Sequence, residues 1–130
     1  MTHQQELPEA EKNRKTILLV DDEFAILSLL QDTLEDAGYL VLAAADGQQA
    51  LALVSDQAPN LVLTDIMMPR LDGVELARRL RADPRTRHIP ILAMSAAQRP
   101  LKSDMFATIL AKPFDLDDVI AQIRHCLSTP

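Results

Sequence analysis

Apolar residues follow two alternating rhythms along this chain. Short unbroken apolar runs occupy residues 16–20, 39–44, 61–65, 89–94 and 108–111, each ending at polar residues or proline. Runs of that length, rich in Val, Ile and Leu, predict strands buried on both faces. Between them the apolar positions recur at three- and four-residue steps: Ile26, Leu27, Leu30, Leu34 and Ala37, then Ala50, Leu51, Leu53 and Val54, then Leu76 and Leu80, and finally Val119, Ile120, Ile123 and Leu127. That spacing predicts amphipathic helices.

The punctuation agrees with this division. Gly38 stands where the first helix should stop. Asp46 with Gln49, and Asp72 with Glu75, have the spacing of a capping box, and Asp115 is placed to cap the last helix. Asp83-Pro84 breaks the third helix near Ala82. Between the fourth and fifth strands, Pro100 permits a helix only if it sits in the first turn, so a short or irregular fourth helix is expected over 96–106.

Strands that alternate with helices and need crossovers predict a doubly wound α/β domain with a five-stranded parallel sheet. The expected order is the flavodoxin-like 2-1-3-4-5, a known pattern for such sheets. It sets the ends of strands 1 and 3 side by side at the switch point, where ligands bind.

Composition narrows the classes. A chain of 130 residues, 48% apolar and 25% charged, fits one globular domain. We expect a flexible N-terminal tail over 1–14, the domain over 15–128, and no effector domain. No run approaches a membrane span and the start lacks the form of a secretory signal, so a cytoplasmic protein without membrane contact is expected. A single cysteine, Cys126, forms no internal disulfide, and His3, His88 and His125 lack the spacing of a metal site. The net charge of -6 argues against direct binding to nucleic acid. Arg78, Arg79, Arg81, Arg85 and Arg87 have no interleaved aromatics and read as a solvated helix face and loop.

The strand ends carry the chemistry. Asp21 and Asp22 follow strand 1, Asp65 ends strand 3, Ser95 ends strand 4 and Lys112 follows strand 5. Each alone has a plain structural use as a cap, turn residue or surface lysine. Capping, however, needs only one acid at 21 and 22, and it does not predict four strand ends with acid, acid, hydroxyl and amine. Three carboxylates at one sheet edge repel, and Mg2+, which takes carboxylates, waters and a phosphoryl oxygen, relieves this. Asp65 is best placed as a nucleophile, with Lys112 and Ser95 available to a phosphoryl group.

With these residues in view, the chain resembles a response-regulator receiver domain of two-component signalling over about residues 15–128. The resemblance rests on Val20-Asp21-Asp22-Glu23, Asp65-Ile66-Met67-Met68-Pro69 with Asp72-Gly73, Met94-Ser95-Ala96 and Lys112-Pro113-Phe114. It implies that Asp65 accepts phosphate from a histidine kinase or histidine phosphotransfer protein, switching contacts with a downstream protein that the sequence does not identify. It further implies Asp22 as a direct magnesium ligand, Asp21 through water, the Met67 backbone carbonyl as another ligand, and a cis Lys112-Pro113 bond. The chain departs from the family pattern at Ile109, where an aromatic residue is usual, and in the 17 positions between Ser95 and Lys112, which shorten the fourth helix. Two other readings are a phosphorylation-independent pseudo-receiver scaffold and a haloacid-dehalogenase-like phosphatase. The latter needs an acid two positions after the nucleophile, where this chain has Met67.

Overall fold

The apolar runs form strands and the periodic segments form helices, with β1 (Thr16–Val20), α1 (Phe24–Asp36), β2 (Leu40–Ala44), α2 (Gly47–Asp56), β3 (Leu61–Asp65), α3 (Gly73–Ala82), β4 (Ile91–Ser95), β5 (Thr108–Ala111) and α4 (Leu116–Ser128). The structure is a computed structural model that describes residues 13–96 and 104–128. All strand neighbours are parallel, in the order β2-β1-β3-β4-β5. The expected doubly wound, flavodoxin-like sheet is therefore present. The expected tail lies mostly outside the described residues, as does 97–103, where the short fourth helix was placed.

Alternation along each strand divides the core in two. Leu18, Val20, Val62, Ile91 and Ala93 pack with Ala50, Val54, Leu76, Ala77 and Leu80 of α2 and α3. Ile17, Leu19, Leu61, Leu63, Leu92 and Met94 pack on the other face with Leu30, Leu34, Val119 and Ile123 of α1 and α4. Helices on both faces explain why β1, β3 and β4 read as unbroken apolar runs. The edge strands β2 and β5 are only partly covered.

Local differences from the sequence reading have physical causes. β4 begins at Ile91 rather than Ile89, because Pro90 has no N–H for the ladder. The Ile89 N–H instead bonds the Thr86 carbonyl at 3.0 Å within the preceding turn. Both expected caps form on the first side: Asp46 accepts from the Gln49 N–H at 2.8 Å, and Asp72 accepts from the Glu75 N–H at 2.9 Å. The return bonds of the capping boxes do not form as expected. Gln49 Oε1 accepts from Ala45 N, one residue early, and the Glu75 carboxylate turns to Arg78 and Arg79.

Arg81 corrects the reading of the basic cluster as wholly solvated. Its guanidinium donates to the carbonyls of Arg87 (2.8 Å), Ile89 (2.7 Å) and Met105 (2.9 Å), tying the end of α3 to the approaches of β4 and β5. Burial lowers its pKa by stripping water from the cation.

Two glycines set how closely α2 and α3 approach the rest. A Cβ at Gly73 would lie 2.4 Å from the Asp65 carbonyl oxygen, and one at Gly47 would lie 2.2 Å from Leu71 Cδ2. The Gly73 contact is with backbone, which cannot turn aside as a side chain can. Gly73→Ala should therefore destabilise the fold by roughly 1–3 kcal/mol, the usual range for overpacking. Urea unfolding checks this, and an unchanged midpoint would contradict the close approach.

Candidate functional site

Strand register assembles the site. Val20 pairs with Thr64, Asp65 with Met94, and Ser95 with Ala111. Asp21, Asp65, Ser95 and Lys112 thus follow one another across the carboxyl edge of β1, β3, β4 and β5. The ladder continues past the strands, with Asp21 N bonded to Ala44 O (3.2 Å), Ile66 N to Met94 O (3.0 Å) and Lys112 N to Ser95 O (2.8 Å). These bonds hold the backbone on which the charged groups are mounted.

The side chains converge as the sequence implied. One oxygen each from Asp21, Asp22 and Asp65 lies within 4.8 Å of the others, a group that could hold a metal ion. Lys112 Nζ is 3.2 Å from Asp65 Oδ1 and 3.4 Å from Asp21 Oδ2. Asp21, Asp65 and Ser95 are buried, whereas Asp22 is exposed at the mouth. The Lys112-Pro113 bond is cis. Neither acid of the pair caps α1: Glu23 occupies the N-cap position, and Asp21 Oδ1 accepts from the Glu23 N–H at 2.8 Å. The capping explanation of Asp21 and Asp22 thereby loses its main support.

Glu23 and Phe24 were given no role from sequence, and Met67 none for its side chain. Glu23 Oε1 lies 3.9 Å from Lys112 Nζ and adds a fourth carboxylate, signalled only by its place after the acidic pair. Phe24 and Met67 are 80% and 69% exposed, unusual for large apolar side chains beside a charged crevice. A groove of about 420 Å³ is lined by Ile26, Ala96, Lys112, Pro113 and Phe114, and so shares Lys112 with the crevice.

Burial raises the Asp65 pKa most, Asp21 and Asp22 add to the effect, and Lys112 opposes it. Lys112 is also raised: burial works against its charge, but Asp21 and Asp65 outweigh burial. The directions have different causes, burial at Asp65 and the neighbouring carboxylates at Lys112, in a crevice that holds three carboxylates to one ammonium. An all-oxygen donor set with this imbalance fits a hard divalent cation.

The class that fold and site define is a doubly wound domain with an acidic, lysine-bearing crevice at the switch point. Residues 17–124 match the family model of the response regulator receiver domain, and the chain belongs to that family. It is 40% identical over 116 residues to the DNA-binding dual master transcriptional regulator RpaA of Synechocystis sp., covering 85% of this chain and 48% of that protein. It is 39% identical over 121 residues to the phosphate regulon transcriptional regulatory protein PhoB of Pseudomonas aeruginosa, covering 87% and 52%. The chain thus spans about half the length of these curated relatives. Among solved structures it is similar to the chemotaxis response regulator CheY4 of Vibrio cholerae, with a TM-score of 0.82 and 29% identity over 88% of this chain and 100% of that one. No helix among the described residues is long and apolar enough to cross a membrane.

The raised Asp65 pKa fixes a sign. A carboxyl raised above its ordinary 3.8 is most favourable to the fold below that value, and the advantage is lost as pH rises through the raised pKa. At pH 7 and without divalent cations, Asp65→Asn should therefore be more stable than the native chain by about 1 kcal/mol. The gain should shrink on acidification towards pH 4. Urea unfolding in EDTA at both pH values checks it, and a less stable Asn variant at pH 7 would refute the cost of burying the ionised carboxyl.

Proposed function

We propose that the chain is a phosphoacceptor receiver in a two-component phosphorelay, with Asp65 taking a phosphoryl group from a phosphohistidine. The observation that supports it best is the Lys112 ammonium bridging buried Asp65 and Asp21 inside a three-carboxylate cluster. A carboxylate oxygen of Asp65 attacks phosphorus, the P–N bond to the donor imidazole breaks, and the imidazole leaves with a proton from solvent. The product is an acyl phosphate. Lys112, already 3.2 Å from Asp65 Oδ1, pairs with a phosphoryl oxygen as it arrives. The Ser95 hydroxyl, buried at the next strand end, donates to another.

Asp22, Asp65 and the Met67 backbone carbonyl would hold Mg2+, with Asp21 acting through water. The bound ion would neutralise oxygens on the phosphoryl group and lower the repulsion between carboxylates. Charge crowding of this kind costs stability in the free protein and would be offset when a divalent cation arrives.

Exposed apolar surface beside a charged crevice favours a protein partner. Phe24, Met67 and the groove at Pro113 and Phe114 supply that surface for a histidine kinase or histidine phosphotransfer protein in the cytoplasm. In this reading the phosphorylated form then switches contacts with a downstream protein, and the domain over 15–128 makes no direct contact with nucleic acid. It is not an enzyme on separate substrates: its chemistry ends at self-phosphorylation and slow autodephosphorylation. Met67 offers no acid–base group for a haloacid-dehalogenase-like mechanism.

Incubation with acetyl phosphate and Mg2+ should add one phosphoryl group by mass, with none on Asp65→Asn and strongly reduced labelling of Lys112→Ala. If the native chain gains nothing, the scaffold reading replaces this one.

A further inference from the structure

The carboxylates proposed for magnesium, Asp22 and Asp65 directly and Asp21 through water, stand on residues at strand ends. The remaining ligand, the Met67 carbonyl, lies in the loop between β3 and α3, where no sheet ladder holds it. That loop contains the one non-glycine residue with positive φ among the described residues, Arg70 at φ 67. A left-handed backbone is unfavourable for a residue with a Cβ, and persists where its surroundings impose it.

The surroundings are well defined. The loop is closed at its ends, since the Gly73 N–H donates to the Ile66 carbonyl at 2.9 Å. Next to Arg70, Leu71 is buried and seated against Gly47 at the start of α2, where no Cβ would fit. Pro69 fixes the φ before the bend. The left-handed step at Arg70 lets the chain turn from exposed Met67 to buried Leu71 and still close on Ile66. The Arg70 side chain does little of this: it is 70% exposed, and its nearest acid, Asp46, is 3.9 Å away. A solvated pair at that distance is weak.

We propose that Arg70 is a positioning residue for the metal, acting through its left-handed backbone and not through its charge, by fixing the loop that presents the Met67 carbonyl. The proposal rests on the magnesium reading of the site. It also explains why the conformation is kept on an exposed residue with no packing to lose.

Calorimetric titration with MgCl2, alongside amide spectra of the loop, separates the possibilities without phosphorylation as the readout. Arg70→Val, whose branched side chain resists positive φ, should bind Mg2+ about tenfold more weakly, the scale seen when supports around metal ligands are removed. Arg70→Gly, which adopts positive φ freely, should bind as the native chain does, and so should Asp46→Asn, which keeps a capping side chain and loses the charge. Arg70→Ala should fall between, and supplies the comparison if the valine variant does not fold. Native-like binding by both Arg70→Val and Arg70→Ala overturns the proposal, as does equal weakening in Arg70→Gly or Asp46→Asn. If the native chain itself binds no Mg2+, the metal reading falls and this inference with it.

Discussion

Like charges held close together govern this molecule. Two carboxylates about 4 Å apart repel by about 4 kcal/mol where the effective dielectric constant is about 20. Asp21, Asp22 and Asp65 each bring an oxygen within 4.8 Å of the others, and Glu23 approaches the same lysine. Lys112 answers this repulsion at Asp65, and burial of the carboxyl is what holds the Asp65 pKa above its ordinary value. A domain of this size has roughly 5–15 kcal/mol of total stability, so the site is a large opposing term. The scaffold must resist relaxation at that edge. It does so by placing the acids at the ends of β1 and β3, buried from both faces, and by extending the backbone ladder through Asp21, Ile66 and Lys112.

The same ladder bears on how a change at Asp65 could reach the surface. The family's usual aromatic residue three positions before the lysine is Ile109 here, partly buried against the α2 and α3 side of the core. An isoleucine has no polar atom with which to follow the Ser95 hydroxyl. At the end of the β4–β5 ladder, the Ser95 carbonyl instead accepts from the Lys112 N–H at 2.8 Å. Displacement of Ser95 would therefore pull on the backbone at Lys112, and packing of Ile109 and Phe106 would carry it along β5.

The fold and most of the site were legible because they depend on features that sequence displays directly. Apolar runs without alternation mark doubly covered strands, and a chemical group at each successive run's end is visible before any coordinates. Other features depend on backbone atoms, which every residue has. Arg81 read as one more surface arginine because its three acceptors are carbonyls. The Pro90 effect was visible in principle, but the apolar Ile89 outweighed it. Glu75 met the capping spacing, yet two arginines one turn later compete for its carboxylate. The φ of Arg70 leaves no mark at all, since arginine is not a residue that advertises positive φ.

This difference in legibility follows a difference in how the parts of the site are constrained. A side chain at a strand end inherits its position from register, and register is fixed by the whole core. A backbone carbonyl in a connecting loop inherits nothing from the sheet beyond its first residue. Its placement has to be built from local devices: a proline, a left-handed bend, a leucine against a glycine, and an N–H closing on Ile66. Strand-borne groups therefore tolerate change in their immediate neighbours as long as the core holds. The loop-borne oxygen depends on a few residues whose side chains never touch the chemistry.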